Sequence, residues 1–403
     1  MPGEKSTENP AESVATALVS RLYDDIVKES CVVFVGAGST TERKNQESVS
    51  FYEEIREKSG YPKDGTAPSF PELMEYFCQH LDGGRHNRLI REAISRIERF
   101  SVSGDDYPSS RAFADELAKI PYFNRFVTTN WDPFLERSLE VMIPIVEDRD
   151  LAFWDDGKRQ VLKIHGCVTR PYSIVATKTD YDGCISLSPL IFNKLRDLMA
   201  TKTFLFAGYS LRDADFREVW DGIVESLGHF AKLAYAVDPG ATEEDVSYWQ
   251  KRGIQIFRTS DLLFVSKLRA RLEKEKLIPS ENFLEFLYRE RRRIVSIHVN
   301  LRQTSAGGLA SAMYQDGLLH GLGNVLTSTA LGRKKEAFER DLVEADRIVR
   351  RMREQRDIIE IAYWSGRTEA IEKFCAMTKT PIPTYFHPFR LHPLTKLVKG
   401  SKI

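Results

Sequence analysis

Six short apolar runs, each followed by turn residues and separated from the next by a stretch with helical spacing, constrain this chain more than any other feature. CVVFV (31–35) is rich in β-branched side chains and closed by Gly36, as a parallel strand buried on both faces would be. Comparable runs stand at FNRFVTT (123–129), VLKIH (161–165), TFLFAGY (203–209), LAYAVD (233–238) and IQIFR (254–258). Helical patterns lie between them at 69–81, 87–100, 109–120, 189–200, 213–227 and 242–253, with Asp213 placed to cap the fifth. Strands alternating with helices predict an α/β fold: a Rossmann-like parallel sheet with helices on both faces.

After about residue 280 only helical spacing remains, in FLEFLYRERRRIVSIHVNL, in a Gly-rich segment containing Gly307, Gly308, Ala310, Gly321 and Gly323, and in a long charged stretch. The expected organisation is a disordered N-terminus over 1–12, an α/β domain over 13–278 and an all-helical region over 279–403, ending in an extended Pro-rich and basic tail. Small residues let helices approach closely, so the helical region is a candidate for oligomerisation or partner binding, a plain helical bundle being the alternative. The polar segment 40–68 reads as a loop or small insertion.

Composition excludes several classes. No run approaches the roughly 18 apolar residues of a membrane span, and the polar first dozen residues do not resemble a secretory signal, so a cytoplasmic protein is expected. The five cysteines are scattered, with no C-x-x-C pair, which supports neither a disulfide framework nor a zinc site; no metal is expected. Formal net charge is zero, but from Glu281 onward there are 21 Lys and Arg against 14 Asp and Glu. Arg291, Arg292, Arg293, Arg350, Arg351 and Arg353 could suggest nucleic acid. Acids such as Glu290, Glu344 and Asp346 are interspersed, so a solvated helix is the better reading and direct nucleic-acid binding is not expected.

Chemistry-bearing residues collect at the ends of the expected strands, where open α/β sheets bind ligands. Gly36-Ala37-Gly38-Ser39 offers a turn whose amides could approach a pyrophosphate. The third glycine of the usual dinucleotide fingerprint is missing, with Thr41 in its place, which disfavours a conventional dehydrogenase. Thr128, Thr129, Asn130 and Asp132 end the second run, where Asp132 could instead cap the helix after Pro133. His165, before Gly166, holds an imidazole at the sheet's rim, usable as an acid or base near neutrality. Gly208 and Ser210 follow the fourth run, and Asp238 the fifth, where it could read a ribose or shape an Asp-Pro-Gly turn.

The ordered set Gly-Ala-Gly-Ser, Thr-Thr-Asn-x-Asp, Ile-His-Gly and Gly-Tyr-Ser-Leu, spanning about residues 25–270, resembles the sirtuin-like NAD-consuming superfamily, in particular its bacterial anti-phage branch. The resemblance implies that Gly36, Ala37, Gly38 and Ser39 hold the NAD phosphates, that Asn130 and Asp132 meet the nicotinamide ribose, that His165 is the base and that Ser210 lines the adenosine side. Thr129, Gly208 and Asp238, from their places at the strand ends, complete the expected cofactor-binding set.

The implied activity is hydrolysis of NAD+ at the nicotinamide–ribose bond, with NAD+ as substrate, in an abortive-infection defence effector. Large homo-oligomers, and a HerA-type DNA-translocating ATPase as partner, are implied in the same way. The protein deacylases of this superfamily carry a Cys-x-x-Cys zinc pair and a Pro-Asp-Phe-Arg stretch that this chain lacks, so deacylation of protein tails is disfavoured. The rival readings are a catalytically silent NAD or ADP-ribose sensor and an assembly scaffold.

Overall fold

The computed structural model describes residues 10–43, 49–62, 66–101, 109–211, 214–275, 277–278, 306–330 and 335–377, together with 285 and 289. They form two compact units, one of residues 1–118 with 122–268 and the other of 119–121 with 269–403.

In the first unit the elements run α1 (Pro10–Val27), β1 (Cys31–Val35), α2 (Phe51–Ser59), α3 (Phe70–Leu81), α4 (Asn87–Ser101), α5 (Ser109–Ala118), β2 (Arg125–Thr128), α6 (Phe134–Ser138), β3 (Gln160–Lys163), α7 (Lys178–Leu187), α8 (Pro189–Thr201), β4 (Thr203–Ala207), α9 (Ala214–Leu227), β5 (Ala234–Val237), α10 (Glu243–Gln250), β6 (Ile254–Phe257) and α11 (Asp261–Lys274). All six expected strands form, and they pair in parallel in the order β3-β2-β1-β4-β5-β6. That order reverses between β1 and β4, so the crevice beyond their carboxyl ends is where such a sheet accepts a ligand.

The central strands β1 and β4 read as nearly continuous apolar runs because both faces are covered. Every residue of β1 and β4 is buried. Phe34, Phe204, Phe206, Phe216, Leu198 and Trp220 belong to one core on the sheet, with Phe206 and Phe216 edge-to-face at 5.1 Å between ring centroids. Side chains of this size stabilise the fold by roughly 1.5–3 kcal/mol each on full burial.

A second, smaller core is built by the helices between β1 and β2. Phe51 and Ile55 of α2 pack with Leu73, Met74 and Phe77 of α3, and with Leu89 and Ala93 of α4. The segment 40–68, expected as a loop or insertion, thus carries a helix. Ser50 caps it by accepting the Glu53 N–H at 3.2 Å, and Gly60 ends it in the left-handed region at φ 65°. Sequence pattern also missed α1, which begins at Pro10 and so takes residues 10–12 out of the segment expected to be disordered; residues 1–9 lie outside the described residues.

In the second unit, α12 (Ala306–Ala330), α13 (Lys335–Glu354) and α14 (Ile358–Met377) are described. Helices α12 and α14 pack so closely that a Cβ at Gly317 would stand 1.8 Å from Tyr363 O, and one at Gly321 2.5 Å from Arg367 O. Some of the small residues noted in the sequence are therefore consumed by packing inside the chain, whereas Gly323 has nothing near its Cβ position. Arg350 pairs with Asp346 at 2.8 Å along α13, as the interspersed acids suggested. The division between the units falls within α11, ahead of the boundary expected after residue 278. Asp213, the Pro-rich tail and most of the helical stretch 283–301 lie outside the described residues.

Candidate functional site

The turn after β1 and the turn after β4 meet backbone to backbone. Gly38 N–H donates to Gly208 O at 2.9 Å, and Gly36 N–H donates to Ala207 O at 2.9 Å. A Cβ on Gly36 would lie 2.3 Å from Gly208 O, and one on Gly208, whose φ is 61°, would lie 2.1 Å from Ser39 N. Only residues without side chains permit this seam. The sequence reading assigned the turn's amides to a pyrophosphate; those of Gly36 and Gly38 are instead spent on the seam, and those of Ser39 and Thr40 on Gly36 O and Ala37 O.

Two cavities adjoin the seam. The first, of about 270 Å³, is lined by Ala37, Thr129, Asn130, Asp132 and His165, and by the aromatic wall Phe51, Tyr52, Phe70 and Trp131. The second, of about 420 Å³, is lined by Gly38, Gly208, Ser210, Asp238, Arg43 and Asp261. Glu42 lines both. Of the site residues read from sequence, Gly36 and Ser39 line neither cavity. Gly36 sits under the seam, and the buried Ser39 hydroxyl donates to Asp261 Oδ2 at 2.6 Å.

Asn130 is held from both ends. Its backbone N–H donates to Thr128 Oγ1 at 3.0 Å, and that hydroxyl donates to Val35 O at 2.7 Å, tying the turn after β2 to the end of β1. Its side-chain Nδ2 donates to Thr40 Oγ1 at 2.9 Å, while its Oδ1 is buried with no hydrogen-bond partner among the described residues. An amide oxygen left so is expensive unless something is to bind it.

Asp132 is fully enclosed. Its Oδ1 accepts the Phe134 N–H at 3.0 Å and its Oδ2 the Thr40 hydroxyl at 3.1 Å, so it serves the start of α6 and lines the first cavity as well. Burial pushes its carboxyl above the ordinary range, against the opposing field of Lys163 and the two hydrogen bonds. Lys163 is buried too, donating to Asp132 O at 2.7 Å and pairing with Glu136 at 3.2 Å. Burial alone would lower its ammonium, yet Glu136, Cys167 and Asp132 outweigh that and hold it above its usual value.

His165 follows β3, with the imidazole buried and Nδ1 3.3 Å from the Tyr181 hydroxyl of α7. The rings stand edge-to-face at 4.8 Å. Gly166 makes this placement possible: at φ 83° it turns the chain where a Cβ would lie 2.1 Å from Ser173 O. The far wall is charged. Arg96 of α4 bonds Glu54 at 2.6 Å and Glu42 at 3.0 Å, and burial raises the Glu42 carboxyl despite Arg96.

The second cavity has its own cation. Arg43 pairs with Asp261 at 2.7 Å, and its buried Nε has no hydrogen-bond partner among the described residues. Ser210 is exposed at the rim. Asp238 accepts the Gly240 N–H at 2.8 Å, so the turn reading holds while the residue also faces the cavity.

This geometry, an amide oxygen without a partner among the described residues and an imidazole on one cavity at the carboxyl ends of β1, β2 and β3, can be set beside known proteins. Residues 124–257 match the family described as SIR2-like domain. The matched stretch contains β2 to β6 with Asn130, Asp132, His165, Gly208, Ser210 and Asp238, and begins after the turn at Gly36.

Curated relatives include the NAD(+) hydrolase ThsA of Bacillus cereus, 29% identical over 47% of this chain and 39% of the relative. A second is the NAD(+) hydrolase ThsA of Acinetobacter baumannii, 28% identical over 35% of this chain and 28% of the relative. A third is the Defense-associated sirtuin 2 of Bacillus subtilis, 24% identical over 34% of this chain and 14% of the relative. The chain thus spans well under half the length of the curated relatives it matches.

Thr40, Tyr181, Glu42, Arg96 and the Arg43–Asp261 pair went unread as site residues, because only the tertiary fold sets them against the residues that end β2 and β3 or against one another. Among the described residues no group of three or more His, Cys, Asp and Glu is arranged to hold a metal ion, and no helix is long and apolar enough to cross a membrane.

Proposed function

We propose that the SIR2-like domain hydrolyses NAD+ to nicotinamide and ADP-ribose. The observation that carries the reading is that Asn130, whose buried Oδ1 has no hydrogen-bond partner among the described residues, lines the same cavity as His165. The names of the relatives, two of them NAD(+) hydrolases, support it. The two adjoining cavities suit the two ends of a dinucleotide, the nicotinamide ribose in the first and the adenosine in the second, with Arg43 toward the diphosphate.

In the reaction the bond between the nicotinamide nitrogen and ribose C1′ breaks, and its electron pair leaves with nicotinamide. Positive charge then builds on the ribose as an oxocarbenium-like centre, as in glycoside hydrolysis. Asn130 Oδ1 accepts a hydrogen bond from a ribose hydroxyl or from the attacking water. His165 takes the proton released when that water adds to C1′ and passes it to solvent. Asp132 steadies Asn130's turn from below.

Nicotinamide release from NAD+, followed by chromatography, tests the reading. Asn130→Ala and His165→Ala should each lower turnover by about 100-fold or more while ADP-ribose affinity changes little. Parent-level turnover in both variants would refute the assignment. Tight NAD+ binding by the parent protein with no nicotinamide released would identify a sensor instead.

Unregulated hydrolysis would exhaust the NAD+ of the cell making the protein, so a defence role, as the name of the Bacillus subtilis relative suggests, needs a switch. We assign it to the helical region after residue 279, through a large homo-oligomer and a HerA-type ATPase. Mixing the purified proteins tests this: no co-elution and no change in NAD+ turnover would exclude the ATPase.

A further inference from the structure

We propose that Thr40 is a positioning residue that decides which end of the Asn130 amide faces the cavity; the inference builds on the catalytic reading of Asn130 above. The oxygen and nitrogen ends of a carboxamide are almost the same shape but opposite in hydrogen-bonding character, so only a partner of fixed polarity can tell them apart. Thr40 supplies that polarity. Its hydroxyl has its one proton for Asp132 Oδ2 at 3.1 Å, the nearer of two acceptors, Ala37 O being 3.5 Å away, and either use leaves lone pairs for Asn130 Nδ2 at 2.9 Å. Were the amide reversed, Asn130 Oδ1 would face an oxygen with no proton to give, and an N–H would point into the cavity.

The chain of bonds is anchored at its far end. Asp132 Oδ1 accepts the Phe134 N–H at 3.0 Å, and the main-chain oxygen of the same residue accepts from Lys163 at 2.7 Å. Thr40 itself is 2% exposed, so water does not compete for its hydroxyl. The outcome is an acceptor, Asn130 Oδ1, buried and held ready for a hydroxyl or water proton. A donor at that point would repel the positive charge building on the ribose; an acceptor favours it.

Thr40→Val keeps the side-chain shape and removes both bonds. Its kcat for nicotinamide release should fall by about 10- to 100-fold, with the KM for NAD+ within about threefold, and Thr40→Ser, which keeps the hydroxyl, should recover most of the loss. A second readout needs no turnover. In full-length protein labelled with 15N at asparagine, the Asn130 side-chain amide, identified by its loss in Asn130→Asp, should exchange its protons slowly in the parent and in Thr40→Ser. In Thr40→Val it should exchange at least about tenfold faster.

Equal protection in parent and Thr40→Val overturns the proposal, as does fast exchange in the parent, and the latter decides even if Thr40→Val does not fold. If the parent releases no nicotinamide while the difference in exchange persists, the hydrolase reading fails and the positioning of Asn130 by Thr40 stands.

Discussion

Residue by residue, the site is a set of polar groups whose burial is offset by specific partners, and that gives its acid–base behaviour a sign. The Asp132 carboxyl is raised by burial, so the folded state holds its proton more tightly than the unfolded state does. Its contribution to stability is full below the ordinary aspartate range and is lost as pH rises through the raised value. Urea denaturation midpoints should therefore decline with rising pH more steeply in the parent than in Asp132→Asn; identical slopes would show that Asp132 ionises normally. Arg43 leads to a different expectation: Arg43→Ala should raise the KM for NAD+ by about tenfold or more, with kcat little changed, because the lost contact is made equally in ground and transition states. Asn130, Asp132 and His165 were legible because they close apolar strands of the sheet. Thr40 was not, since a threonine in a turn looks generic until the fold sets it between Asn130 and Asp132.

Among the elements, two glycines separate steric from conformational cost. Gly60 and Gly208 share a φ near 60°, at 65° and 61°, but a Cβ at Gly60 meets nothing within 4 Å, whereas one at Gly208 would collide with Ser39 N. Gly60→Ala should thus lose about 1–2 kcal/mol, and Gly208→Ala considerably more, enough to shift the denaturation midpoint visibly or prevent folding. Similar losses at the two positions would mean that the seam between the turns yields easily. Helix α2 shows why patterning missed part of the cavity wall. FYEEIREKS carries only Phe51 and Ile55 as apolar buried residues, too few for a helical stripe. Its signals are the Ser50 cap and the closing Gly60, and substitution Ser50→Ala should cost about 1 kcal/mol.

At the scale of the whole molecule, the alternation of strand and helix was enough to foresee a parallel α/β sheet, because the central strands β1 and β4 are buried throughout and read as nearly unbroken apolar runs. Strand order was not legible, since it depends on which runs meet across the fold rather than on any local pattern. The sequence expectation of assembly belongs at this scale too: the full chain should sediment as a homo-oligomer and a chain ending at residue 278 as a smaller species, and equal sedimentation would remove the helical region from that role. The strand order also bears on how the protein is made. β1 lies at the centre of the sheet, yet its partners are distant in the chain, with Val32 beside Arg125 on one side and Cys31 beside Thr203 on the other. A ribosome adding about 5–20 residues each second needs roughly ten to thirty seconds to go from the first residue of β1 to the first residue of β4. Through that interval CVVFV is an exposed apolar strand without its full set of partners, so slow synthesis at low temperature with chaperones present should favour soluble protein over aggregate.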